Sequence, residues 1–397
     1  MASSANTWMT QLLQGWLNRL AAGPLVTVGC VAHALVAIVC VASPEGHIGD
    51  FQRYWQLATT PGRPHVDFAA EYPPGALLMF AGMAHVAGDL SRFVQWMLAL
   101  NVLADASILW LLLNAWGTIA AAAYVWTALP ILSLLFFRYD LWPTACAVLT
   151  LVVLRSGHTR LGLVALASGT ALKLWPVALV GVFLPRRVAP GWRPAIRAGL
   201  AALALAALWF WFGGASAFRD VLTYRNATGW DIESSVGSVW RLIEPDSLRE
   251  ESGTRRVGRI VPLLSVILGS LTLPAAIWAL ARGVRTRRVG TGWVAGIGVM
   301  LVGASLLSPQ FLGWLLPGAA IAWAEADRRS ARLVAGVIIL TVAYRLLHTS
   351  DVPLLVLARN LVLIGTVAQA FLQLAAQPLQ HEPVLRLEPH RPPDRRI

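Results

Sequence analysis

Long apolar stretches alternate with short polar segments along most of the chain. A helix needs about 20 apolar residues to cross a bilayer, and most of the stretches reach or approach that length. They number twelve and cover residues 24–43, 92–114, 117–137, 139–154, 160–172, 174–185, 196–213, 260–281, 290–307, 310–324, 331–347 and 353–375. The pattern predicts an all-α polytopic membrane protein with about twelve transmembrane helices.

Three of the apolar segments are too short to cross a bilayer alone. The stretches 160–172 and 174–185 are expected to meet at a broken turn around Lys173, because irregular backbone at membrane depth is tolerated where it is buried in protein. The apolar segment that follows Pro73 and Pro74 begins with a helix-start signal. We assign it to a juxtamembrane helix and not to a span.

Arginines fall in short runs between the apolar stretches, which is typical of cytoplasmic loops. With these runs inside, both termini are cytoplasmic, and two long loops, residues 44–91 and 214–259, are external. Residues 1–23 are predicted to form a cytoplasmic interfacial helix. Residues 24–376 form the predicted transmembrane domain, and the Pro- and Arg-rich residues 377–397 are expected to be a basic, disordered cytoplasmic tail.

Composition supports this assignment and excludes other classes. The chain is 57% hydrophobic and 13% charged, whereas about a quarter of the residues of a soluble domain are charged. The net charge of +12 belongs to the runs between spans, so we expect no nucleic-acid partner. The three cysteines lie inside apolar stretches without ligand spacing, which predicts neither a disulfide framework nor a metal site.

The first external loop combines acidic and aromatic residues, as expected of a segment at a membrane surface. Asp50 lies at the outer end of the first span, and Tyr54 follows one helical turn later. This placement suits a general base at the membrane surface, although an isolated loop acid is more often simply solvated. Other charged residues near the membrane favour the functional interpretation, because such charges are costly and tend to mark sites.

These other charges have alternative interpretations. Arg138 and Asp140 either form a local ion pair that closes a turn or contribute to an anion site. Lys173, the single lysine of the chain, either snorkels to the interface or binds a phosphate. Arg345 and Arg359, near the outer ends of the last two spans, are expected to snorkel.

Two polar residues interrupt an apolar stretch. Asn101 and Asp105 are four residues apart and therefore share one face of a helix. We interpret them as an interhelical hydrogen-bonding stripe. His348 lies in the turn between the last two spans, where a satisfied turn residue is the alternative to a functional one.

Six motifs occur in an order and spacing that resemble a known family: GDFQRYW, EYPPG, RYDLWP, ALKLWP, YRNATGWDIESS (224–235) and LLSPQFLGWLLP (306–317). The chain resembles the GT-C glycosyltransferases of the GT87 family over about residues 25–345. These are bacterial enzymes that use polyprenol-phosphate sugars, among them mycobacterial phosphatidylinositol mannoside mannosyltransferases and an arabinofuranosyltransferase. The second external loop departs from the family pattern at Tyr224, Arg225 and Asp231, which leaves the sugar and the acceptor open.

The resemblance implies a GT-C fold and, with the charges described above, a set of site residues. Asp50 is the expected general base, and the donor phosphate is expected to be held by Arg138, Lys173 and Arg225. The expected substrate-binding residues are Tyr54, Glu71, Tyr72, Asp140, Glu233, Gln310 and His348. No cofactor or divalent metal is expected, since position 52 is Gln52 and no acidic pair surrounds Asp50.

The predicted activity is inverting transfer of a sugar from a polyprenyl-phosphate donor to a glycolipid or cell-envelope glycan acceptor. Mannose is the expected sugar, and the enzyme is expected in a bacterial plasma membrane with its active site on the external, periplasmic side. An arabinofuranosyltransferase of the same fold is one alternative. A transporter or flippase of lipid-linked sugars is another, because broken helices and buried charges occur there too. The sequence does not indicate an oligomeric state.

Overall fold

A computed structural model describes residues 23–44, 48–184, 193–224, 227–347 and 352–378. The predicted interfacial helix and disordered tail fall almost entirely outside these ranges and stay predictions. Arg225 and His348 also lie outside the described residues.

The described part of the chain is mostly helical. Its α-helices are, in chain order, α1 (Pro24–Ala42), α2 (Gly49–Thr59), α3 (Pro74–Ala87), α4 (Leu90–Ala128), α5 (Leu132–Phe136), α6 (Leu141–Arg155), α7 (Thr159–Leu172), α8 (Arg193–Leu222), α9 (Ser235–Ile243), α10 (Pro262–Arg285), α11 (Val289–Gly303), α12 (Leu316–Ala324), α13 (Arg328–Leu346) and α14 (Pro353–Ala376). Four 3₁₀-helices lie between them, at Leu129–Ile131, Trp175–Phe183, Pro245–Ser247 and Pro309–Leu315.

Within the described ranges, four helices are long and apolar enough to cross a membrane: Pro24–Ala42, Leu90–Phe136, Leu263–Arg285 and Pro353–Ala376. Many of their large apolar side chains are exposed, for example Leu25 at 64% and Val39 at 65% on α1. An apolar surface of this kind is suited to lipid and not to water. The chain is therefore a multi-pass membrane protein, and the count of twelve spans stays a prediction.

Two of the predicted spans meet at a sharp break inside α4. The stretches 92–114 and 117–137 lie on the two sides of Gly117, where φ is 82° and ψ is −173°. Glycine adopts this conformation readily because it has no Cβ. The chain reverses direction at this glycine, because Tyr124 Oη lies 2.7 Å from Asp105 Oδ1, whereas a continuous helix would place residues this far apart in sequence about 28 Å from each other. The two stretches are therefore two antiparallel helical segments.

The broken turn predicted at Lys173 is confirmed. Helix α7 ends at Leu172, and Lys173 has extended backbone with φ −154° and ψ 143°. The chain then continues as the 3₁₀-helix Trp175–Phe183, with Pro176 in its first turn. Proline is compatible with a helix start because its missing N–H would have no partner there.

The predicted helix after Pro73 is also confirmed. Helix α3 begins at Pro74 and ends at Ala87, and the next residue, Gly88, has a φ of 76°, the left-handed C-terminal conformation that glycine favours. It packs against α2, where the rings of Tyr54 and Phe80 stack at 4.4 Å. The segment 48–88 therefore contains two packed helices, joined by the non-helical residues 60–73.

The all-α prediction is wrong in the segment 214–259. This segment holds a small antiparallel sheet of β1 (Trp230–Asp231), β2 (Arg249–Glu251) and β3 (Thr254–Val257), in the order β1-β3-β2. Ser252 and Gly253, with φ of 56° and 75°, form the two-residue turn between β2 and β3. Positive φ at both positions matches the twist of a tight hairpin, and the Ser-Gly dipeptide was the available sequence signal.

The predicted hydrogen-bonding stripe is confirmed. Asp105 accepts hydrogen bonds from Tyr124 Oη at 2.7 Å and faces His33 Nδ1 at 2.8 Å. Asn101 donates to the Phe136 carbonyl at 2.7 Å and accepts from Trp142 Nε1 at 2.8 Å. These bonds satisfy buried polar groups and tie α4 to its neighbours.

Candidate active site

The central feature of the site is an ion pair between Asp50 and Arg138. Asp50 lies in the first turn of α2, where the helix dipole favours a negative charge. Arg138 lies in the turn between α5 and α6. The side chains are 32% and 21% exposed, so both remain accessible to a ligand. Arg138 therefore pairs across elements with Asp50, and the local pair with Asp140 is not formed.

A second ion pair joins Asp140 to Lys173. Lys173 Nζ lies 2.5 Å from Asp140 Oδ1, and the side chains are 16% and 3% exposed. Trp314 Nε1 donates to the same oxygen at 2.7 Å. The alternative that Lys173 snorkels is therefore wrong, because a buried carboxylate holds its ammonium inside the protein.

Aromatic rings surround the Lys173 ammonium on three sides. Its Nζ lies 4.4 Å from the ring centroid of Phe311 and 5.0 Å from those of Tyr139 and Trp314. Such contacts attract a cation to the ring faces. They limit the positions of the Lys173 side chain while leaving part of it exposed.

The four charges of these two pairs influence one another. Burial raises the pKa of Asp50 above its ordinary value, and the positive charge of Arg138 lowers it by less. Asp140 raises it further, and Lys173 opposes that effect. The two pairs therefore belong to one charged cluster, in which Asp50 is a stronger base than a solvated aspartate.

A third ion pair fixes the EYPPG motif to α2. Arg53 Nε and Nη2 donate to the two oxygens of Glu71 at 3.0 and 2.9 Å. The Glu71 side chain is 1% exposed and that of Arg53 is 29% exposed. Arg53 was missed in the sequence, although its position three residues after Asp50 in the GDFQRYW motif was an available signal.

Tyrosines form the floor of the site. Tyr54 is 1% exposed, and its ring meets those of Tyr72 and Tyr139 edge to face at 5.4 and 5.5 Å. Burial raises the pKa of Tyr54 well above its ordinary value, so its phenol is neutral. Tyr72 is only half-buried. Substrate contacts by these tyrosines stay predictions, whereas their packing role is visible.

The SPQFLGWLLP motif reaches the same cluster through Phe311 and Trp314. Gln310 is 8% exposed, and its Oε1 accepts a hydrogen bond from Ser308 Oγ at 2.5 Å. Trp314 belongs to the motif LLSPQFLGWLLP (306–317), but no role was predicted for it from the sequence. Only the fold shows that its indole N–H donates to Asp140.

Glu233 belongs to a separate polar cluster, in which the segment 214–259 meets α14. Arg359 Nη1 donates to Glu233 Oε2 at 2.9 Å, and Asn360 Nδ2 donates to the Glu233 carbonyl at 3.1 Å. Arg359 is fully buried, so the prediction that it snorkels is wrong. Arg345 is exposed, as a snorkelling side chain would be.

Asp231 lies beside this cluster. Burial raises its pKa to about 7, and the negative charge of Glu233 contributes to the rise. The backbone N–H of Asp231 donates to the Ser305 carbonyl at 3.0 Å. The segment is thereby attached both to α14 and to the connection that follows α11.

Nothing in the described ranges brings together three His, Cys, Asp or Glu side chains that could hold a metal ion. The expected metal independence of the reaction stays a prediction.

Comparisons with known proteins are sparse. No protein-family model matches the chain, and no curated protein matches it. Among solved structures, the chain is similar to ArnT from Cupriavidus metallidurans in the apo state, with a TM-score of 0.46 and 14% sequence identity. The match covers 91% of this chain and 77% of that chain. We draw no conclusion about activity from a likeness this distant.

Proposed function

We propose that the protein is an integral-membrane glycosyltransferase that takes a sugar from a polyprenyl-phosphate donor. The observation that carries the proposal is the charged cluster at Asp50, Arg138, Asp140 and Lys173. It combines a partly exposed carboxylate of raised pKa with two cations, which are the groups needed to deprotonate a hydroxyl and to hold a phosphate.

Charge compensation in the cluster explains how a donor could activate it. In the structure each cation is paired with one carboxylate, so the pairs are electrically balanced. A donor phosphate that binds Arg138 competes with Asp50 for the guanidinium. Asp50 then loses the positive charge that lowers its pKa and becomes a stronger base.

The proposed reaction is a single displacement at the anomeric carbon. The acceptor hydroxyl oxygen forms a bond to this carbon as the bond to the phosphate oxygen breaks, and its proton passes to Asp50. The electron pair of the broken bond stays on polyprenyl phosphate, whose charge Arg138 and Lys173 stabilise. Attack opposite the leaving group inverts the configuration, and the transition state has the oxocarbenium character known from glycoside hydrolysis.

Mannose is the proposed sugar, and a glycolipid or cell-envelope glycan is the proposed acceptor. Both follow from the resemblance to the GT87 family, as does the placement of the site on the external face of a bacterial plasma membrane. Arg225 and His348 remain proposed ligands of donor and substrate. Arabinofuranose is the alternative sugar, since the same motifs occur with both specificities in that family.

A transfer assay tests the proposal. Purified protein in nanodiscs is supplied with labelled polyprenyl-phosphate mannose or polyprenyl-phosphate arabinofuranose and a bacterial lipid extract, with and without a chelator. We expect one donor to yield free polyprenyl phosphate and a labelled glycolipid, unchanged by the chelator. Movement of intact donor across a vesicle membrane, without release of polyprenyl phosphate, would establish a flippase instead.

A further inference from the structure

A second polar site lies at the N-terminal end of α11 and the C-terminal end of α14. A cavity of about 550 Å³ is lined by residues that precede α11, open α13 and close α14, among them Arg288, Arg328, Arg329, Arg332, Asp327 and Gln373. The opposite ends of α11 and α14 lead to the segment 214–259, where Ser305 bonds to Asp231 and Arg359 to Glu233. The cavity is therefore remote from that segment.

The cavity is strongly basic. Arg288 donates to the Glu325 carbonyl at 2.5 Å, whereas Arg328, Arg329 and Arg332 form no salt bridge with any carboxylate in the described ranges. The guanidinium groups of Arg328 and Arg332 lie 5.9 Å from the Trp323 ring centroid. Their N–H groups retain capacity for an anionic acceptor.

The one aspartate of the lining does not bind these arginines. Asp327 Oδ2 accepts from Thr291 Oγ1 at 2.7 Å, and Oδ1 accepts from Ser330 N and Gln373 Nε2, both at 3.2 Å. It serves as the N-cap of α13. The arginines thus stand at the positive end of a helix dipole, where a cation is disfavoured and an anion is stabilised.

We propose that this cavity binds the phosphate of an anionic phospholipid headgroup. Guanidinium groups pair with phosphate through two parallel hydrogen bonds, and basic pockets between membrane helices are suited to such headgroups. The volume lies within the range of small-ligand sites.

The surroundings favour a lipid over a soluble anion. Helix α14 is one of the candidate spans, and its last turn lines the cavity through Gln373. The cavity therefore lies where this helix leaves the bilayer, at headgroup level. Leu372, next to Gln373, is 68% exposed and offers an apolar contact for an acyl chain, and Trp323 is typical of the membrane interface.

The test compares wild-type protein with an Arg329→Gln/Arg332→Gln double variant and an Arg285→Gln control. Arg285 is an exposed arginine at the end of α10 and does not line the cavity. Detergent-purified full chains are titrated with phosphatidylglycerol, phosphatidylcholine or inorganic phosphate. Bound lipid is counted by native mass spectrometry, and the melting temperature is recorded, since a ligand of the folded state raises it.

We expect phosphatidylglycerol to bind and stabilise the wild type and the control, with at least tenfold weaker binding to the double variant. Equal retention by the double variant would overturn the proposal, as would equal binding of phosphatidylcholine. Equal stabilisation by inorganic phosphate would assign the cavity to a soluble anion. If the double variant has a lowered melting temperature without lipid, the salt dependence of binding to the wild type provides the test. The amount of phosphatidylglycerol retained by the wild type must then fall as NaCl is raised from 50 to 500 mM (about a threefold change in Debye length); unchanged retention would overturn the proposal.

Discussion

The carboxylate of Asp50 pairs with the guanidinium of Arg138, and this contact joins the first helix after α1 to the turn between α5 and α6. It places a base and a phosphate-binding cation side by side. The positive charge of Arg138 lowers the pKa of Asp50, and substitution of each residue tests its role separately.

Asp50→Asn is expected to lower sugar transfer by about 10²-fold or more, the usual contribution of a general base. The amide keeps the size of the side chain but cannot accept the proton. The measurement is the single-turnover rate with saturating donor, together with donor retention, which should persist.

The matched control for this substitution is Asp67→Asn. The Asp67 side chain is 49% exposed and pairs only with neighbouring Arg63 among the described residues, so the change should leave the rate within about threefold of wild type (about 0.6 kcal/mol in the barrier). An active Asp50→Asn enzyme would show that another group is the base.

The raised pKa of Asp50 predicts the pH below which the transfer rate falls. Transfer needs the ionised carboxylate, so the rate should fall as pH drops through the pKa of Asp50. The midpoint of this acid limb of the pH–rate profile should lie above the ordinary aspartate pKa of about 3.9. Arg138 lowers this pKa, so Arg138→Gln should move the limb to higher pH. The rate at subsaturating donor, whose pH dependence reports the groups of the free enzyme, is measured from pH 4 to 8 and checks both statements. An acid limb that Arg138→Gln leaves at the same pH would show that Arg138 does not set the pKa of Asp50.

The pair of Lys173 and Asp140 predicts a non-additive double-mutant cycle. Lys173→Gln leaves Asp140 buried without a counter-ion, and Asp140→Asn leaves the ammonium without one. Each single change should abolish transfer and also cost about 3–5 kcal/mol of stability. The double variant should be inactive but more stable than either single variant. Thermal melting of the four proteins measures the coupling, and simple additivity would rule out a stabilising pair.

The contacts of Arg359 predict that this residue holds the segment 214–259 against α14. Arg359→Leu removes the cation that binds Glu233, and the segment should then detach from α14. Hydrogen exchange of residues 230–238 should become at least tenfold faster (about 1.4 kcal/mol of lost protection). Arg345→Leu is the control, since Arg345 is exposed on α13. Unchanged exchange in Arg359→Leu would mean that other contacts hold the segment.

Cysteine labelling tests the predicted topology. Arg63→Cys should react with a membrane-impermeant thiol reagent added outside, and His158→Cys should not. Both positions are exposed, and neither has positive φ, unlike Gly62 and Gly157 nearby. The native cysteines lie in apolar helices and provide the background. Labelling of both sites, or of His158→Cys alone, would contradict the twelve-span arrangement.

Much of the local structure could be read from the sequence. The broken turn at Lys173, the helix that begins at Pro74 and the hydrogen-bonding stripe of Asn101 and Asp105 were predicted and are present. They follow from apolar stretch length, from proline at helix starts and from helical spacing, all of which act between residues near in the chain. The hairpin at Ser252 was missed because the segment 214–259 lies between apolar stretches and was assigned as a whole to an external loop.

The partners of the charges were decided by the tertiary structure alone. A sequence shows that Arg138, Asp140 and Lys173 are charged, and proximity suggests that the first two pair. The packing of α2 and α7 against the turn after α5 instead pairs Arg138 with Asp50 and Asp140 with Lys173. Arg359 is buried for the same reason, since the segment with Glu233 folds back onto α14. Ion pairing depends on distances of a few ångströms between side chains, and such distances between remote residues are set by how helices pack.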